Sequence, residues 1–228
     1  MQYIKPPLTS PSSVEELMQR AKNLAGLSLG DLALGANIEI PQNFKTQKGW
    51  SGQLIERCLG ASAGSKPAQD FPELGIELKT LPLSYDFKPL ETTYVCYAPL
   101  TNNTGVNWSN SNVRNKLQRV LWLPIQGERE IPPAERTIGS PILWCPTEDE
   151  SLQLQTDWEE LMDMISLGQV ERIDASVGSV LQLRPKAANG SVVTDAIGEN
   201  GQAIKTRPRG FYLRKNFTQQ ILTRAFAI

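Results

Sequence analysis

The stretch Asp70-Phe71-Pro72-Glu73-Leu74-Gly75-Ile76-Glu77-Leu78-Lys79-Thr80-Leu81 decides how this 228-residue chain reads. With Ile76 to Leu81 as a β-strand, side chains alternate between faces. Glu77 and Lys79 then point the same way, about 7 Å apart along the strand, and Ile76 and Leu78 point into a core. Two acids and a lysine converging on one edge are what metal-dependent phosphodiester cleavage needs. The carboxylates hold a divalent ion that polarises the phosphate and activates a water, and the ammonium steadies the growing negative charge. A plainer reading stands beside this one. E-x-K is common in half-exposed amphipathic strands whose outer face carries an ordinary Glu and Lys, and these three residues alone favour that reading.

Composition narrows the field. Apolar residues make up 40% of the chain and charged ones 21%, which reads as globular rather than disordered, and the length suits one large domain or two small lobes. No run of apolar residues is long enough to span a bilayer, and the N-terminal segment lacks the apolar stretch of a signal peptide, so a cytoplasmic location is expected. The chain contains no histidine. Ser-His and Cys-His pairs, His-metal nucleases, HExxH zinc sites and His-based phosphoryl transfer are thereby excluded. Hydrolytic chemistry here has to run on carboxylates, lysine and a metal held by oxygen. Cys58, Cys96 and Cys145 are widely separated with no CxxC, which fits reduced thiols better than a disulfide framework or a structural zinc.

Net charge is −1, yet the charge is segregated. From Arg184 onward stand Arg184, Lys186, Lys205, Arg207, Arg209, Arg214, Lys215 and Arg224 against Asp195 and Glu199, and Thr101 to Val120 carries Arg114, Lys116 and Arg119 with no acid. Glu148 to Asp174 is by contrast strongly acidic, as a solvated helix face would be. Such a distribution permits a basic face for nucleic acid on a nearly neutral protein.

The periodicity predicts a first helix from Ser13, with Ser13-Val14-Glu15-Glu16 as a capping box and Leu17, Ala21 and Leu24 inward. A short helix over Leu29 to Leu34 follows, then one opened by Lys48-Gly49-Trp50 with Leu54, Ile55 and Leu59 apolar and Glu56 alone among them. The loop Gly60 to Lys66 lacks the spacing of a nucleotide P-loop. After a turn at Ser84 to Lys88, the run Thr92 to Ala98 reads as a strand pairing antiparallel with the Ile76 strand. A helix over Val113 to Leu121, strands over Leu121 to Ile125 and Pro141 to Trp144, and a firm helix over Asp157 to Ile165 come next. Trp158, Leu161, Met162 and Ile165 line that helix. Val180 to Leu183 reads as a strand entering Arg184-Pro185-Lys186. Asn216 is expected to cap a last helix with Phe217, Ile221 and Ala225 on one face. The mixture is α with a mixed or antiparallel sheet, without βαβ repeats.

Several long strings carry a resemblance: LGASAGSKPAQDFPELGIELKTLPL (59–83), WEELMDMISLGQVERI (158–173), LRPKAANG (183–190) and RGFYLRKNFT (209–218). Together they resemble the MutH family, the methyl-directed mismatch-repair endonucleases of bacteria. The resemblance implies an α/β restriction-endonuclease-like fold, a central mixed sheet flanked by helices. It implies one endonuclease domain with two lobes around a DNA cleft, a catalytic lobe of about residues 1–105 and a DNA-reading and C-terminal lobe of about 106–228. It makes Asp70 and Glu77 the ligands of Mg²⁺, places Lys79 beside the attacked phosphate, and adds Glu56 and Lys116 as supporting catalytic residues. A glutamate on an apolar helix face is costly to bury unless paired or metal-bound, which independently favours Glu56. For Lys116 a solvated helix lysine remains the rival.

Members of that family nick the unmethylated strand of hemimethylated GATC, stimulated by the mismatch-sensing partners MutS and MutL, and the resemblance implies the same for this chain as a monomer. The DNA-binding residues it implies are Lys48 and Gly49, the turn Arg184-Pro185-Lys186, and Tyr212, with Tyr212 against the adenine edge. An arginine can donate twice to a guanine edge, and Pro185 stiffens the backbone that presents it. The rival for Arg184 is a phosphate contact, and for Tyr212 a core aromatic beside Phe211. The C-terminal helix is a candidate for MutL contact. A dimeric restriction enzyme cutting both strands, or a catalytically idle DNA-binding module, are the alternatives. The chain departs from the family at Asn112 and Asn115, where histidines are common, so neither position can carry a proton near neutral pH. Thr46 and Gln47 replace a more charged pair, and Gln69 rather than proline precedes Asp70.

Overall fold

The run Val120–Gln126 is buried at six of its seven positions, the signature of a central strand covered on both faces. It sits in a computed structural model that describes residues 4–41, 49–64, 68–187 and 189–227. In chain order the elements are α1 (Val14–Leu24), α2 (Leu29–Ala36), α3 (Trp50–Leu59), β1 (Glu77–Leu83), β2 (Thr93–Tyr97), α4 (Asn112–Leu117), β3 (Val120–Gln126), β4 (Ile142–Trp144), α5 (Glu148–Ser166), β5 (Leu181–Pro185), β6 (Thr194–Ile197), β7 (Ala203–Thr206), β8 (Arg209–Leu213) and α6 (Lys215–Phe226).

The chain forms two compact units. The first is Met1–Leu90 with Arg119–Cys145, the second Glu91–Gln118 with Pro146–Ile228. Where a single division near residue 105 was expected, the chain passes between units at three points, because β3 returns to pair with β1.

In the first unit the sheet runs β1-β3-β4, with β1 and β3 parallel from Glu77–Val120 to Leu83–Gln126 and β4 antiparallel to β3. One apolar cluster joins the helices to this sheet: Leu17, Ala21 and Leu24 of α1, Leu29 and Leu32 of α2, Leu54, Ile55 and Leu59 of α3, and Ile76, Leu78, Leu121 and Leu123. Helix α1 starts where the sequence places it. Ser13 accepts from the Glu16 N–H, but the Glu16 carboxylate reaches back to Ser12, not Ser13, so the capping box is only half closed. The Ser12 hydrogen bonds, with Arg20 adding to them, hold the Glu16 carboxyl down at about 2.

The second unit holds the antiparallel sheet β2-β8-β5 and the hairpin β6-β7. Phe211, Leu213, Phe217 and Ile221 are among its buried residues. Helix α5 is far longer than the expected Asp157 to Ile165, because a complete capping box of Thr147 and Glu150 starts it nine residues earlier than Asp157.

Four local expectations are corrected. The strand after the Ser84 turn does not pair with β1: the turn closes, with Leu90 N–H donating to the Pro82 carbonyl, but Pro89 has no N–H to extend a ladder, and β2 pairs with β8. The helix expected to reach Leu121 ends at Leu117, because the residues from Arg119 onward are drawn into pairing with β1, starting with the Glu77 N–H on the Arg119 carbonyl. Asn216 does not cap the last helix. Arg214 holds that position without a side-chain bond, and Asn216 donates to the Ser179 carbonyl at 3.4 Å. Ala225 is exposed, and Leu222 joins Phe217 and Ile221 on the buried face.

Candidate active site and nucleic-acid interface

Phe71 and Ile76 exchange both backbone hydrogen bonds across a 3₁₀ turn at Pro72–Leu74, a closure that uses Gly75 at φ +65°. That short antiparallel bridge brings Asp70 back to the start of β1. Asp70 Oδ2 accepts the Leu78 N–H at 2.8 Å, which fixes the carboxylate at the start of β1. Glu77 is only 2% exposed, and Lys79 Nζ meets its Oε1 at 2.6 Å. The two side chains share a face, as strand alternation requires, while Ile76 and Leu78 are buried on the other side. A half-exposed strand with solvent-facing Glu and Lys does not describe β1. Burying a carboxylate costs several kcal/mol in general, and its attraction to an ammonium offsets that only with close geometry.

Glu56 lies half-buried on α3, the helix that packs on β1, between buried Ile55 and Cys58. Gly49 is the N-cap of α3 and offers no side-chain bond. Lys48 lies outside the described residues. Lys116 is half-buried on α4 in the second unit. Among the described residues no three Asp, Glu or Cys side chains stand close enough to cage a metal ion by themselves. Magnesium does not demand such a cage: one or two carboxylates, with waters and substrate phosphates, is its usual protein site, and Asp70 with Glu77 offers that oxygen-only donor set.

In the second unit, β8 brings Tyr212 between Tyr94 of β2 and Gln182 of β5. The Tyr94 and Tyr212 rings meet edge to face at 5.3 Å. Arg184 lies with its guanidinium carbon 5.9 Å from the Tyr212 ring centroid and donates to Thr92 Oγ1 at 3.2 Å, and Lys186 Nζ stands 4.5 Å from the Tyr94 centroid. Tyr212 is half-buried rather than a core aromatic. Partial burial, the largest influence, lifts its hydroxyl above the ordinary phenol range against the lowering effect of Arg184. Pro185 closes β5 opposite Arg209, and the Lys186 N–H donates to the Pro208 carbonyl at 2.7 Å, so the Arg-Pro-Lys turn is tied down on both sides.

With this geometry in view, comparison with known proteins is decisive. The family described as "DNA mismatch repair enzyme MutH" matches residues 59–157. The protein named DNA mismatch repair protein MutH of Serratia proteamaculans is 59% identical over 228 residues, covering all of both chains. Its namesakes in Klebsiella pneumoniae and Salmonella typhi are also 59% identical, covering all of this chain and 99% of theirs. The chain belongs to the MutH family. The mixed α/β architecture is accordingly the restriction-endonuclease-like fold of MutH proteins.

The structure brings Asp70, Glu77 and Lys79 together in one place and Arg184, Lys186 and Tyr212 in another. Two residues of this MutH-family chain escaped sequence reasoning. Tyr94, an apparent strand filler, stands directly opposite Tyr212. Asp157, counted among the acids of a solvated helix, is buried, and its Oδ2 accepts the N–H groups of Ser179, Val180 and Leu181 at 2.9, 2.6 and 2.8 Å. It pins the start of β5 and so positions Arg184. A signal for it did exist: Asp157 directly precedes the buried Trp158 on the inward face of α5.

Proposed function

We propose that this chain is a DNA mismatch-repair endonuclease that nicks the unmethylated strand at hemimethylated GATC, using Asp70, Glu77 and Lys79 with a divalent cation, specifically Mg²⁺. The observation that carries the reading is the buried Glu77 carboxylate with the Lys79 ammonium 2.6 Å away, beside an Asp70 carboxylate fixed on the Leu78 N–H, in a chain 59% identical over its full length to MutH proteins. When bound by Asp70 and Glu77, the ion supplies the positive charge that polarises the scissile phosphate and eases deprotonation of the attacking water.

The chain's own residues do the rest. The Leu78 N–H holds Asp70 Oδ2 and so fixes the carboxylate at the start of β1. Lys79, fixed by Glu77, donates to a phosphate oxygen as negative charge grows there, without reorganising at the moment of reaction. Glu56 on α3 supports this site, and Lys116 on α4 is a further supporting catalytic residue. With no histidine in the chain, protons near neutral pH are exchanged with water or held by carboxylate and lysine.

Lys48, Gly49, Arg184, Pro185, Lys186 and Tyr212 bind the duplex. Arg184 reads guanine and Tyr212 lies against the adenine edge where a methyl group would sit. The two units work as one endonuclease domain, a cytoplasmic monomer whose single site cuts one strand, stimulated by MutS and MutL, with α6 a contact surface for MutL.

The test is a supercoiled plasmid carrying GATC. The protein converts it to nicked circles in Mg²⁺, and Glu77→Ala abolishes the product while DNA binding stays largely intact. Retained cleavage by Glu77→Ala, or linear product from the unaltered protein, overturns the reading.

A further inference from the structure

Tyr94 and Tyr97 are three residues apart on β2, a spacing that puts side chains on opposite faces of a regular strand. Their rings nevertheless meet edge to face, centroids 5.8 Å apart. The cause is a β-bulge. Strand β2 pairs with β8 as Thr93–Leu213 and Tyr94–Tyr212, then resumes one residue late as Cys96–Phe211 and Tyr97–Gly210. One extra residue reverses the alternation and turns Tyr97 onto the face that carries Tyr94 and Tyr212. Tyr97 is 60% exposed there, whereas Val95 and Cys96 are buried.

The row across the sheet at this level is Tyr97, Gly210, Arg184. Gly210 has to be bare. A Cβ there would stand 2.8 Å from Tyr94 Cε2 and 3.3 Å from Tyr212 Cε2. The Tyr94 and Tyr212 rings thus close over Gly210, Tyr97 and Arg184 stand on the strands either side of it, and the Lys186 ammonium lies over the Tyr94 ring. An exposed tyrosine hydroxyl beside cationic donors suits the sugar-phosphate strand of a duplex, which carries acceptor oxygens at every step.

We propose that Tyr97 is a further DNA-contacting residue, donating its hydroxyl to a phosphate of the strand beside the recognition site. The inference rests on the reading of Arg184 and Tyr212 as DNA-binding residues. A phosphate contact holds any sequence, so Tyr97 contributes affinity and position, not base choice.

Fluorescence anisotropy on a labelled duplex with one GATC and a matched duplex without it, in EDTA so that no strand is cut, tests this. Tyr97→Phe keeps the ring and removes only the hydroxyl. It raises Kd about fivefold on both duplexes and leaves their ratio unchanged. An unchanged Kd on both, or a loss confined to the GATC duplex, overturns the proposal. Arg184→Ala measured alongside separates the two ideas. If it weakens GATC binding while Tyr97→Phe does nothing, the Tyr97 contact alone is wrong. If neither change alters binding, this face does not meet DNA and the reading beneath the proposal falls as well.

Discussion

Two polar clusters of this chain follow opposite rules. At the start of β1, Glu77 is nearly sealed from solvent and meets the Lys79 ammonium, and Asp70 accepts from the backbone. On the β2-β8-β5 sheet, Arg184 and Tyr97 are exposed and Tyr212 half-buried, held by rings and a threonine hydroxyl. The contrast fits the two tasks proposed for these clusters. Groups that act on a phosphate gain from fixed positions in a low dielectric, where one charge is strongly felt. Groups that read a duplex have to stand clear of their own protein, and they need little help from the core.

The largest expected effect falls on the buried cluster. Lys79→Met removes the ammonium that meets the sealed Glu77 carboxylate. Stability drops by about 3–5 kcal/mol in urea unfolding, and plasmid nicking is lost with it. A melting curve unchanged from the parent would show that the pair is not coupled to the core, and the comparison would break. Next in size, Asp157→Ala strips three backbone N–H groups of their acceptor at the start of β5 and costs about 3 kcal/mol. Its activity falls through displaced Arg184, so an isolated loss of GATC preference at permissive temperature accompanies the instability.

The exposed cluster behaves otherwise. Arg184→Ala moves stability by no more than about 0.5 kcal/mol, yet it costs about 1–3 kcal/mol of preference for GATC over other duplexes. A melting-temperature loss as large as that of Lys79→Met would erase the distinction between the clusters. The smallest effect belongs to Tyr212→Phe, which blunts discrimination between hemimethylated and fully methylated sites without slowing nicking of unmethylated DNA beyond a few fold. Because burial raises the Tyr212 pKa, its hydroxyl stays protonated through neutral and mildly alkaline pH. Discrimination is therefore flat with pH below the ordinary phenol value of about 10. A fall in discrimination near pH 8 that Tyr212→Phe removes would contradict that protonation state.

Much of the helical part was legible in the chain itself. Ser13 and the inward Leu17, Ala21 and Leu24 specify α1 through bonds and contacts within four residues, and the Trp158 to Ile165 stripe marks α5 in the same way. The alternation of Ile76, Glu77, Leu78 and Lys79 placed acid and ammonium on one face before any partner strand was known, since a strand's pleat is a property of its own backbone. Partners were another matter. Nothing near β2 says that it belongs beside β8 more than a hundred residues on, because such pairing is decided by which edges remain open once the cores of both units have packed. For the same reason the depth at which Glu77 lies, the anchoring of β5 by Asp157 and the bulge that turns Tyr97 toward Tyr94 were settled only by tertiary structure. Local chemistry chose the residues, and long-range packing chose what each of them faces.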